Sequence, residues 1–251
     1  MTLMENNKVI IACDFSSSEE ILKFLSKFGN KKLFLKIGME MFYSEGINLI
    51  EKLQNIGHEI FLDLKICDIP NTVYRTVRKL SALGIKMLTI HAFGGSNMMS
   101  SAVEAANKKI LILAVTILTS ISESMLKQEV IFQENLSENT HILPKIVMRY
   151  SENAQKNKVD GVVCSAFEAK KIKQNFGNSL LIVTPGIRNQ NDESYDQNRT
   201  ATPEQAKNLG SDYIVVGRPI TRSENPVNEY EKITDEFKRS AKNTYKTTIR
   251  A

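Results

Sequence analysis

The chain has 251 residues, 42% hydrophobic and 24% charged, an ordinary globular balance whose core needs neither a disulfide nor a metal to hold it. The formal net charge is +5, but Lys238, Arg239, Lys242, Lys246 and Arg250 lie in a final stretch without an acid and equal the whole excess. The body of the chain is therefore close to neutral, which argues against a nucleic-acid partner.

At the N-terminus, MTLMENNKVIIACDF has no basic region followed by a long apolar stretch and a small-residue cleavage site. The spacing predicts a first strand over residues 9–13, apolar on both faces as buried parallel strands are. Ser17, Ser18, Glu19 and Glu20 then open a helix with a cap-like serine and early acids. Strands follow at 33–37 and 60–64. Residues 72–83 form an amphipathic helix stopped by Gly84. The fourth and fifth strands fall at 87–91 and 110–117, with a short helix and loop inserted over 120–137. A long helix over 139–157 precedes a strand at 161–164. The series closes with a strand at 180–184, a helix begun by Thr202, Pro203 and Glu204, and a strand at 213–216.

Eight strand–helix units in this length point to a single (β/α)8 barrel domain over residues 1–237, followed by a mobile basic tail, 238–251. A doubly wound open sheet is the alternative, but no G-x-G-x-x-G follows the first strand. Cys13, Cys67 and Cys164 form no C-x-x-C pair and read as free thiols in a reducing compartment. No apolar run is long enough to cross a bilayer. The expectation is a soluble cytoplasmic protein.

A barrel of this kind carries its active site at the C-terminal ends of its strands. Those ends hold Asp14, Lys36, Asp63, Lys65, Asp68, His91, Thr119, Arg188 and Arg218. Charged groups so tightly packed need partners or a substrate. In FLDLKICDIPNTV, Asp63 and Lys65 are two apart and face the same side of a strand, while Leu62 and Leu64 face the helices. Asp68 follows just past the strand end, and Lys36 lies next door on the second strand. A buried ion network is weak evidence for stability, so its concentration at this end points to function. His91 fits either a satisfied structural histidine or a substrate contact; His58 and His141 fit surface or helix-start positions. No pair has metal-ligand spacing, and no metal is expected.

The run Asp63-Leu64-Lys65-Ile66-Cys67-Asp68-Ile69-Pro70-Asn71-Thr72 resembles the signature of the orotidine 5′-monophosphate decarboxylase family, in its bacterial form. Further motifs follow in the family's order: Ala12-Cys13-Asp14, Leu35-Lys36-Ile37-Gly38, His91-Ala92-Phe93-Gly94-Gly95, Leu118-Thr119-Ser120, Thr184-Pro185-Gly186-Ile187-Arg188, Asp196-Gln197-Asn198-Arg199, Thr202-Pro203 and Val216-Gly217-Arg218-Pro219-Ile220-Thr221. The resemblance extends to about Phe237. It implies decarboxylation of orotidine 5′-monophosphate to the uridine nucleotide without a cofactor, in a homodimer. Catalysis would rest on a Lys36-Asp63-Lys65-Asp68 array in which Lys65 stabilises and protonates the C6 carbanion and Asp68 reaches the second subunit's site. The same reading has Asp14 and Thr72 hold the ribose with Lys36 near it, Thr119 meet the pyrimidine edge, Gly217 and Arg218 grip the phosphate, and Arg188 and Gln197, in the loop after the seventh strand, fold over the ligand. Ile69 and Pro185 would also line the substrate. The rival reading is a Mg²⁺-dependent sugar-phosphate decarboxylase of the same superfamily, which shares D-x-K-x-x-D but carries an acidic metal ligand where this chain has Lys36. A catalytically dead barrel acting as a binding module is a further rival, disfavoured because every charged motif residue is retained.

Overall fold

The computed structural model describes residues 7–131, 141–188 and 199–239. Eight parallel strands close into a barrel in sequence order: β1 (Val9–Ala12), β2 (Phe34–Gly38), β3 (Glu59–Ile66), β4 (Met87–His91), β5 (Leu111–Val115), β6 (Gly161–Val163), β7 (Leu181–Thr184) and β8 (Tyr213–Val216). Each expected strand is present, mostly within a residue or two of its expected bounds. The alternative of an open sheet is excluded by the β1–β8 pairing, which sets Ile10 opposite Val215.

The outer ring contains α1 (Ser18–Ser26), α2 (Met39–Asn55), α3 (Pro70–Ser81), α4 (Gly95–Ala106), α5 (Leu143–Lys156), α6 (Ala166–Phe176), α7 (Pro203–Asn208), α8 (Arg218–Thr221) and α9 (Pro226–Lys238). The expected caps act as written: the Ser17 hydroxyl accepts from the Glu20 N–H, and Thr202 accepts from the Gln205 N–H ahead of Pro203. The helix expected over 139–157 begins at Leu143, where the Glu123 carboxylate accepts from the Ile142 and Leu143 N–H groups at 2.6 and 3.1 Å. Glu123 itself lies in a single turn, Glu123–Met125, that runs into a π-helical stretch, Leu126–Ile131. The tail from residue 240 onward lies outside the described residues.

Alternation along the strands divides the apolar residues into two cores. Ile10, Phe34, Phe61, Met87, Leu113, Val183, Tyr213 and Val215 fill the inside of the barrel. Their neighbours, among them Ile11, Leu35, Leu62, Leu88, Ile112 and Ile214, pack outward against the helices. At the C-terminal end the inward positions change from apolar to charged, and there the site begins.

Candidate active site

The irregularity that shapes the site is in β3. Leu62 pairs with Leu88 and Ile66 with Ile90, so four steps along β3 face two along β4. The surplus is absorbed by a bulge in which Lys65 has φ +48°, a left-handed conformation that costs a non-glycine residue energy and recurs at functional sites. Sequence alternation predicted that Asp63 and Lys65 share a face, and they do, but regular pleating is not the reason. Lys65 is turned by the bulge, which is held by Thr89 on β4. The Lys65 N–H donates to Thr89 Oγ1 at 2.8 Å, and the Thr89 hydroxyl donates to Asp63 Oδ1 at 3.0 Å. Thr89 is fully buried, and sequence reasoning missed it. The signal available was its place between Met87 and His91, on the inward face of an otherwise apolar strand.

On the other oxygen, Asp63 Oδ2 receives Lys65 Nζ at 2.9 Å and Lys36 Nζ at 3.6 Å. Lys36 Nζ also donates to Asp14 Oδ1 at 3.1 Å. Within one chain the alternating row is therefore Asp14–Lys36–Asp63–Lys65. Opposite unit charges about 4 Å apart attract by roughly 4 kcal/mol at an effective dielectric near 20, before desolvation offsets part of it. Burial alone would raise the Asp63 carboxyl; Lys36, Lys65 and the hydrogen bonds from Lys65 and Thr89 outweigh it and hold the group below the usual carboxylate range. Burial likewise opposes the charge on Lys36, but Asp63 and Asp14 overcome it and raise the ammonium's pKa.

This row forms one wall of a cavity of about 420 Å³ at the C-terminal end of the barrel. Thr119, Pro185, Arg188, Gly217 and Arg218 line it too, as do Thr221, named from the sequence only within the eighth-strand motif, and Arg222, which sequence reasoning did not name. Asp68, Ile69 and Thr72 are exposed and outside this cavity; Asp68 Oδ1 accepts the Ile69 N–H at 2.6 Å. His91 Nδ1 accepts the Phe93 N–H at 3.3 Å, a local capping bond, while burial and then Lys65 lower its pKa. His58, expected at the surface or at a helix start, is buried just before β3. Gln197 lies outside the described residues. Among the described residues no cluster of acids, histidines and cysteines could hold a metal ion, and no helix is long and apolar enough to cross a membrane.

The model of the orotidine 5′-phosphate decarboxylase / HUMPS family matches residues 7–233. The chain belongs to this family. Among orotidine 5′-phosphate decarboxylase family members, it is 48% identical to the orotidine 5′-phosphate decarboxylase of Staphylococcus saprophyticus subsp. saprophyticus, over 92% of this chain and 98% of that one. It is 44% identical to the enzyme of the same name from Malacoplasma penetrans, over 93% of this chain and 100% of the relative. The crystal structure of the Lactobacillus acidophilus orotidine 5′-phosphate decarboxylase superposes with a TM-score of 0.80 at 42% identity, covering 93% of this chain and 100% of that one.

Proposed function

We propose that this chain is a carboxy-lyase that converts orotidine 5′-phosphate to uridine 5′-phosphate and CO₂, the last step in making a pyrimidine nucleotide de novo. The observation that carries the reading is the Lys65 ammonium, held 2.9 Å from Asp63 in a preformed charged row, in a chain close in sequence to decarboxylases of that name. When the bond from C6 to the carboxylate breaks, its electron pair stays on C6, where no carbonyl is placed to absorb it. Many decarboxylases use a cofactor as the electron sink; here fixed charge takes that part. Lys65 stabilises the pair, transfers its proton to C6, and regains a proton from solvent. The row is oriented before substrate arrives, so little reorganisation accompanies the chemistry.

Further residues, inside the cavity and, for Thr72 and Ile69, beyond it, bind the ligand. Asp14, Lys36 and Thr72 hold the ribose, Thr119 meets the ring edge, and Pro185 and Ile69 pack beside it. Gly217 and Arg218 take the phosphate, where a guanidinium group forms charge-assisted bonds, and Arg188 and Gln197, after β7, cover the ligand. A homodimer in the cytoplasm completes the reading, with Asp68 directed to the partner's site. In its support, the exposed apolar side chains Met39, Ile69 and Phe93 follow the ends of consecutive strands β2, β3 and β4, so they crowd one end of the barrel. Lys36 occupies the position where the Mg²⁺-dependent relatives need an acid, and an ammonium beside a divalent cation is unfavourable.

The test is decarboxylation of orotidine 5′-phosphate with and without a chelator, for the wild type and Lys65→Ala. Turnover should be indifferent to the chelator and abolished in the variant, which should still fold and bind uridine 5′-phosphate. Losing the proton donor removes several of the roughly 8–23 kcal/mol by which enzymes lower barriers. Near-normal turnover in Lys65→Ala would refute the assignment.

A further inference from the structure

We infer that the Glu168–Arg199 ion pair is a positioning device that holds the pocket wall formed by the ends of β5, β6 and β7 in place for the pyrimidine; this rests on the decarboxylase reading. Neither residue lines the cavity. Both are withdrawn behind it, with side chains only 9% and 16% exposed. Arg199 Nη1 donates to Glu168 Oε1, and Nη2 donates to the Leu118 carbonyl at 3.1 Å. The other carboxylate oxygen, Glu168 Oε2, accepts the Ser165 N–H at 2.9 Å. One planar guanidinium and one carboxylate thus tie together three segments that follow three consecutive strands.

Each tie lies beside a cavity residue. Leu118 and its neighbour Thr119 line the cavity after β5, and Cys164, next to Ser165, lines it after β6. Two residues beyond Arg199, the Ala201 N–H donates to the Gly186 carbonyl at 3.2 Å, and the Ala201 carbonyl accepts the Arg188 N–H at 3.0 Å. Gly186 and Arg188 line the cavity after β7.

Stability alone is a poor account of the pair. Burying two charges costs desolvation that their attraction only partly returns. The Arg199 Nε is also buried without a hydrogen-bond partner among the described residues, a cost that packing for stability would avoid. What the guanidinium does uniquely is hold two acceptors in fixed directions at once. The wall it braces lies away from Gly217 and Arg218 on the β8 side, which take the phosphate. Loosening it should therefore impair recognition of the ring more than of the phosphate, and misplacement by about 1 Å can cost on the order of 10²-fold in rate.

The experiment compares Glu168→Gln and Arg199→Lys with the wild type, measuring kcat/KM on orotidine 5′-phosphate and the affinities of uridine 5′-phosphate and ribose 5-phosphate by calorimetry. Glu168→Gln keeps an acceptor for Ser165 but loses the charge; Arg199→Lys keeps the charge but loses the fork. We expect kcat/KM to fall about 10–100-fold, uridine 5′-phosphate to bind about tenfold more weakly, and ribose 5-phosphate to stay within about threefold. The inference is overturned if both variants keep kcat/KM within about threefold of wild type, or if both ligands weaken by the same factor. Loss of folding in both variants would overturn it too, since the pair would then be a stability element. Failure of the decarboxylase reading itself shows separately, as absent turnover in the wild type.

Discussion

Thr89 is where a single atom has the most influence on the site. Its hydroxyl accepts from the Lys65 backbone and donates to Asp63, so it fixes both the strained backbone of Lys65 and the orientation of the carboxylate beside it. Thr89→Val preserves shape and removes both bonds. Leaving a buried partner unsatisfied costs about 1–3 kcal/mol, so kcat should fall roughly tenfold or more while the fold persists; steady-state kinetics and a melting curve measure the two effects. A second residue-scale effect sits at the opposite end of the barrel. Burial, and then the charge on Lys32, push the His58 imidazole down to about 4, while its Nδ1 accepts the Leu33 N–H at 3.2 Å. Unfolded, the group titrates near 6.5. Between those values the unfolded chain binds a proton that the folded chain refuses. Stability is therefore lost as pH falls from about 6.5 to about 4, and above 6.5 this group has no effect on it. The melting temperature of His58→Gln should depend less steeply on pH in that window than the wild type's, and equal slopes would assign the dependence to other groups.

At the scale of elements, the barrel interior is filled so closely that one strand position must be glycine. Gly161 on β6 sits between Leu113 on β5 and Leu181 on β7. A Cβ there would lie 2.5 Å from the Leu181 carbonyl oxygen and 2.9 Å from Leu113 Cδ2. Backbone cannot yield as a flexible side chain can. Gly161→Ala should thus destabilise by about 1–3 kcal/mol and lower the melting temperature by several degrees in calorimetry. The bulge in β3 is the other decisive element. Because two surplus residues are absorbed before Ile66 pairs with Ile90, the strand carries Lys65 inward and then releases Cys67 and Asp68 to the exterior.

The whole molecule poses the question of subunit sharing. Asp63 and Lys65 lie in one wall of the cavity, whereas Asp68 is exposed beyond it. If Asp68 serves the partner's site, Lys65→Ala and Asp68→Ala homodimers are each inactive. A mixed dimer then has one site carrying both lesions and one intact site. Random reassortment makes about half the dimers mixed, each with one good site of two, so mixing should restore roughly a quarter of wild-type activity across an isologous interface. Confirmed subunit exchange without returning activity would place Asp68 in its own chain's site.

The amino-acid sequence by itself determined the eight strands, their closure into a barrel and most of the cavity, because buried parallel strands are written as short apolar runs and their ends as charged residues. Asp14, Lys36, Asp63, Lys65, Arg188 and Arg218 were all legible in that way, since each breaks an apolar pattern where the chain leaves a strand. Only the tertiary structure decided the bulge at Lys65, the role of Thr89, the burial of His58 and the tie between Glu168, Arg199 and Leu118. Each depends on a partner between 24 and 81 positions away in the chain. Local periodicity reports which face a residue presents, but the register between neighbouring strands and the meeting of separate loops are set by packing around the closed barrel.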